Sequence, residues 1–67
     1  MNVPRWQFFI DCGGTFTDCI GVSPEGALSV VKVLSAGDAP VRAIEALLVR
    51  AGETTPPSAL ACSVRLG

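Results

Sequence analysis

Eight consecutive residues, Asp11-Cys12-Gly13-Gly14-Thr15-Phe16-Thr17-Asp18, hold most of the chemistry this chain can offer. Two adjacent glycines let a backbone turn through unusual dihedrals and leave no Cβ in the way of a bulky anion, so successive N–H groups can converge on one phosphate. Thr15 and Thr17 add hydroxyl donors to the same concavity. Asp11 closes an apolar run, where a strand is expected to end, and one carboxylate there can hold a hydrated Mg²⁺ that bridges phosphate oxygens. Asp18 can close the loop by a hydrogen bond or serve as an outer carboxylate. Such a set suits phosphoryl transfer, where catalysis is chiefly positioning and electrostatic stabilisation. Asp-x-Gly-Gly alone is an ordinary hairpin turn, but a second aspartate, two interleaved threonines and an apolar run on each side are more than a turn requires. The GxxxxGK[ST] loop is a different device, since it opens a helix and carries a lysine that is absent here.

Elements that could position this loop follow from periodicity. WQFFIDC is apolar on both alternations, so residues 6–12 are expected to form a strand covered on two faces. CIGV ends at the turn Ser23-Pro24-Glu25-Gly26, giving a second strand over 18–22. ALSVVKVL reads as a third over 27–34, with Lys32 suited to a sheet edge. The period then changes: Val41, Ile44, Leu47, Leu48 and Ala51 recur at helical spacing, predicting a helix over 39–51. Asp38 can cap its start, Pro40 suits its first turn, Arg50 its negative end and Gly52 the left-handed position after it. The loop through Pro56-Pro57 cannot continue the helix, and ALACSVRLG begins a further strand at about 60–66. The expected class is α/β in an α+β arrangement, an antiparallel three-stranded meander with one helix on it.

Composition limits what this can be. A chain of 67 residues hides only ~60% of the surface its unfolded form exposes, yet 49% of its residues are apolar and 16% charged. Three cysteines cannot staple so small a domain, and with no histidine and no CxxC spacing Cys12, Cys19 and Cys62 are expected as free thiols, packed rather than metal-bound. Five basic residues lie scattered against six acidic ones, which excludes a nucleic-acid stripe or a grip on an anionic membrane. MNVPRWQFFID carries no secretory cleavage site and no window is long enough for a membrane span, so a cytoplasmic location is expected. Trp6 and Phe16 are expected to pack in the core or the loop; Arg42, Glu45 and Arg50 are expected on the solvated helix face.

FFIDCGGTFTDCIGV, then Lys32-Val33-Leu34-Ser35 and the closing SVRLG, resembles the start of the hydantoinase/oxoprolinase family, over about Trp6 to Gly67. Within the family the resemblance is strongest to ATP-dependent 5-oxoprolinases. It implies that residues 1–67 are part of an N-terminal domain of the actin, sugar-kinase and Hsp70 ATPase type. It also implies that Asp11 serves a Mg-ATP site and that Gly13, Gly14, Thr15 and Thr17 form the first phosphate loop, supported by Asp18. The reaction implied is ATP-driven opening of a cyclic amide, 5-oxo-L-proline with ATP and water giving L-glutamate, ADP and phosphate, in a homo-oligomer or with a second subunit. The chain departs from the pattern at Cys12, where oxoprolinases often carry arginine, and relatives acting on hydantoins or carboxylating ketones share the loop.

The resulting expectation is an N-terminal fragment of such an enzyme, inactive alone because one phosphate loop does not enclose a nucleotide. The contrasting expectation is a small non-catalytic protein that binds a partner through its sheet edges.

Overall fold

Trp6, Phe8 and Ile10 stand at alternate positions of the first apolar run, so an extended backbone puts all three on one side. The computed structural model describes residues 5–67 and builds β1 (Trp6–Cys12) from that run, with these three side chains buried. The reading of the N-terminus as no secretory leader falls partly on residues 1–4, outside those described. β2 (Phe16–Val22) and β3 (Leu28–Leu34) follow as an antiparallel meander, then α1 (Ala39–Arg50), a 3₁₀ turn (Pro57–Ala59) and β4 (Cys62–Leu66). β4 joins parallel to β1, giving the sheet order β3-β2-β1-β4. The α/β class and the meander-plus-helix arrangement hold. β2 begins before the expected position 18, because the Gly13 N–H donates to the Phe16 carbonyl (3.0 Å) and closes the hairpin over residues 13–15.

α1 lies chiefly across β2 and β3. Its buried stripe is Ala39, Ala43, Leu47 and Leu48 with Ile44 partly covered, whereas Val41 and Ala51 are exposed. This corrects the expected face: residues 39, 43 and 47 step by four along one side, and Val41 lies about 200° round the helix from Ala43. The small Ala43 lets the helix approach closely. Asp38 occupies the N-cap position but makes no side-chain cap; its carboxylate pairs with Arg42 Nε at 3.3 Å. Arg42 also donates to the carbonyls of Leu34 and Ala36, so it ties the β3–α1 connection down instead of merely facing solvent. At the other end Gly52 adopts φ +80°, and the Gly52 and Glu53 N–H groups donate to the Val49 and Leu48 carbonyls, the double bond pattern that satisfies a helix terminus.

The core is Trp6, Phe8, Ile10, Cys19, Ala43, Leu47 and Leu48. Each fully buried large side chain contributes about 1.5–3 kcal/mol of transfer free energy. Trp6 stacks on Phe8 with ring centroids 5.7 Å apart, and its indole N–H donates to Glu53 Oε1 at 3.2 Å. Gly21 faces the helix, and a Cβ there would lie 2.5 Å from a Leu47 methyl carbon, so this glycine sets how closely helix and sheet pack. The expected cover on both faces of β1 is not found: Phe9, Ile20 and Val30 on the other face are 39–55% exposed. One helix can cover only one side of a sheet. Among the described residues no helix is long and apolar enough to cross a membrane.

Two consequences are measurable. Gly21→Val drives two methyls against Leu47, and the strain of overpacking should lower stability by about 1–3 kcal/mol in urea denaturation; an unchanged midpoint would mean the helix can lift without cost. Glu53 is held below the usual glutamate range by the Thr55 backbone N–H first and the Trp6 indole second. Its ionised form is therefore favoured by folding, so the contribution is complete above the ordinary glutamate value and lost as pH falls through the lowered one. Trp6 fluorescence should report loosening of this contact on acidification through that window, and Glu53→Gln should abolish the transition.

Candidate functional site

The hairpin of β1 and β2 carries the whole chemical motif, and its pleat divides the motif between two faces. Asp11 and Asp18 are direct cross-strand partners, and Asp18 pairs in turn with Lys32 on β3. All three stand on the face that α1 leaves open, the face of Phe9 and Ile20. Like charges directly opposite are unfavourable. Lys32 offsets this from one side, its Nζ 3.7 Å from Asp18 Oδ1 and 5.3 Å from the centroid of the Phe16 ring. Lys32 is thus the exposed edge lysine expected, with a partner. No cation among the described residues pairs with Asp11. A shallow hollow beside it is lined by Phe9, Asp11, Asp18, Ile20, Arg65 and Gly67. Gly67 reaches it because its N–H donates to the Ile10 carbonyl at 2.7 Å, extending the β4 ladder to the end of β1.

Between the aspartates, Gly13, Gly14 and Thr15 form the exposed tip. Neither glycine adopts a positive φ, so the dihedral reason for their presence gives way to a steric one. A Cβ on Gly13 would sit 2.9 Å from the Phe16 carbonyl oxygen, inside contact distance, while around Gly14 a Cβ would meet nothing within 4 Å. Gly13 is needed to close the hairpin, and Gly14 leaves open space beside the backbone. The Gly14 and Thr15 N–H groups donate to no acceptor among the described residues. They are available to an anion.

Thr17 is placed differently from the other members. It is fully buried on the helix side, and its Oγ1 lies 2.8 Å from Ser35 Oγ, so its hydroxyl does not share the concavity of Thr15. Phe16, expected as a packing residue, is 45% exposed on the open face. Ser35 is the residue that sequence reasoning passed over: its hydroxyl donates to the Gly13 carbonyl at 2.8 Å and its N–H to the Thr15 carbonyl at 2.8 Å. The signal was present in the meander register, because pairing Phe16 with Leu34 places Ser35 beside Thr15.

The donor set tests what a metal could find here. Among the described residues no three His, Cys, Asp or Glu side chains gather to hold an ion. Two neighbouring carboxylates with open space in front fit a Mg²⁺ that keeps most of its water, not an all-protein cage. The cysteines are free thiols, but only Cys19 is packed as expected; Cys12, at the mouth of the hairpin, and Cys62, on the uncovered β4, are exposed, and burial pushes the Cys19 thiol up, away from the reactive thiolate.

A sequence profile of the hydantoinase/oxoprolinase N-terminal region matches residues 7–67, and the chain belongs to that family. No curated protein and no solved structure gives a significant match to it.

If Lys32 offsets the aspartate pair, Lys32→Met should cost about 0.5 kcal/mol at low ionic strength, the scale of an exposed ion pair. The loss should shrink in ~1 M salt, where a Debye length of about 3 Å screens the remaining repulsion. Urea midpoints at two salt concentrations measure both; a loss that is equal at each would assign Lys32 a packing role only.

Proposed function

We propose that this region supplies the first phosphate-binding element of an ATP-dependent enzyme that opens a cyclic amide, with 5-oxo-L-proline as the substrate of first choice. The observation that carries the reading is the hairpin tip: Gly14 and Thr15 N–H groups with no acceptor, and an Asp11 carboxylate with no cation, among the described residues stand at the end of β1. Family membership supplies the chemical setting. In this reading the loop N–H groups and the Thr15 hydroxyl hold phosphate oxygens, and Asp11 holds the water shell of a Mg²⁺. The metal would supply charge neutralisation on the phosphates. Asp18 shapes the site from across the hairpin and keeps Lys32 beside it.

The overall reaction moves a phosphoryl group from ATP to the amide oxygen, which weakens the ring C–N bond. Water then adds at the activated carbon and the C–N bond breaks, the nitrogen taking up a proton, to leave an acyl phosphate; a second water cleaves it, giving the open-chain amino acid, phosphate and ADP. The described residues act on the phosphate side of this sequence. Recognition of the ring belongs to residues beyond this hairpin, which is how relatives acting on hydantoins or ketones can employ the same loop. A nucleotide also needs an adenosine pocket and a second phosphate loop, so the hairpin by itself performs no turnover.

In the enzyme that carries this region, Asp11→Ala should abolish ATP-dependent ring opening, measured as ADP released per amide consumed. Asp11→Asn should do nearly the same, because it keeps the shape and removes the charge. Near-normal turnover in either variant would remove Asp11 from the mechanism and with it the proposed role of the loop.

A further inference from the structure

We infer that Ser35 is a positioning residue that aims the phosphate loop; the inference rests on the phosphate-loop reading above. Ser35 lies just past the end of β3, eighteen positions from Thr17 in sequence, yet it touches three parts of the hairpin. Its hydroxyl has one proton, and that proton is committed to the Gly13 carbonyl. The buried Thr17 hydroxyl must therefore donate to Ser35 Oγ, completing a relay from Thr17 through Ser35 to the loop backbone. The Ser35 N–H holds the Thr15 carbonyl as well.

The consequence follows from peptide geometry. In a planar trans unit the carbonyl of one residue and the N–H of the next point in opposite directions, and no cis peptide occurs among the described residues. Drawing the Gly13 carbonyl towards Ser35 turns the Gly14 N–H away from Ser35, to the side where no acceptor among the described residues takes it. A Gly-Gly peptide meets little steric resistance to flipping, since neither residue has a Cβ. Without a tether the carbonyl oxygen is free to turn towards an incoming phosphate in place of the N–H. Ser35 removes that freedom before the anion arrives. The sources of rigidity are all in place: the relay begins on a fully buried side chain of a central strand.

Kinetics and direct binding on the enzyme that carries this region test the inference. Ser35→Ala should raise KM for ATP, and the calorimetric Kd for ADP, by about 10-fold or more. kcat and KM for the cyclic amide should stay near their original values, since what is lost is phosphate binding. Ser35→Thr keeps the hydroxyl and should restore both nucleotide constants. Thr17→Val removes only the start of the relay and should give a smaller rise, a readout that survives should Ser35→Ala not fold. A lowered melting temperature with unchanged nucleotide constants in both variants would overturn the inference and reduce Ser35 to a structural hydrogen bond. That result would leave the phosphate-loop reading standing wherever Asp11→Ala still abolishes turnover, while an active Asp11→Ala enzyme would remove the reading itself.

Discussion

Everything at the site depends on the register between β1 and β2. Side chains along a strand alternate with period two, so a slip of β2 by one residue against β1 would carry Asp18 under the helix and turn Thr17 and Cys19 to the open side. A carboxylate beneath α1 would be far costlier than a buried threonine and thiol. The apolar alternation of Trp6, Phe8 and Ile10 and the short closure at Gly13 therefore fix more than packing. They decide which groups of one eight-residue segment are reactive and which are structural.

The helix enforces that choice from the other side of the sheet. Leu47 occupies the space that Gly21 vacates, and Ala43 brings the helix axis close, so β2 is clamped in the position its register requires. Arg42 fastens the connection from β3, where Ser35 sits. Packing and site geometry thus meet in one short stretch, residues 34–42, whose backbone both ends a strand and begins the helix. The opposite face carries no comparable cover within the described residues, and its apolar side chains surround the aspartates with a low-polarity border.

The elements were legible in the sequence because each has a strong local cause: alternation for β1, the Ser23-Pro24-Glu25-Gly26 turn for the break after β2, and a change of period for α1. The helix face was less so, since counting large apolar residues favoured Val41, while the structure buries the smaller Ala39 and Ala43. Asp38 looked like a cap and instead formed an ion pair, because Arg42 stood one turn away to compete for it. Within the loop, residue types identified the segment but not which face each side chain takes. Thr15 and Thr17 look alike in sequence; only pairing with β3 separates an exposed hydroxyl from a buried one. Ser35 was hidden for the same reason, as its partners are distant along the chain.

β4 differs from the other strands in how it is held. All of its side chains are exposed, and it is joined to β1 by a parallel backbone ladder, with Trp6 and Gly67 donating at its two ends. A strand secured by hydrogen bonds with little buried side-chain area belongs to the low end of local stability. The Ile10 carbonyl, just before Asp11, belongs to that ladder through the Gly67 N–H. Among the described residues the strand bearing the central carboxylate is therefore held differently on its two flanks, by a ladder with buried side chains against β2 and by a ladder with exposed ones against β4, an asymmetry set by the order of the sheet.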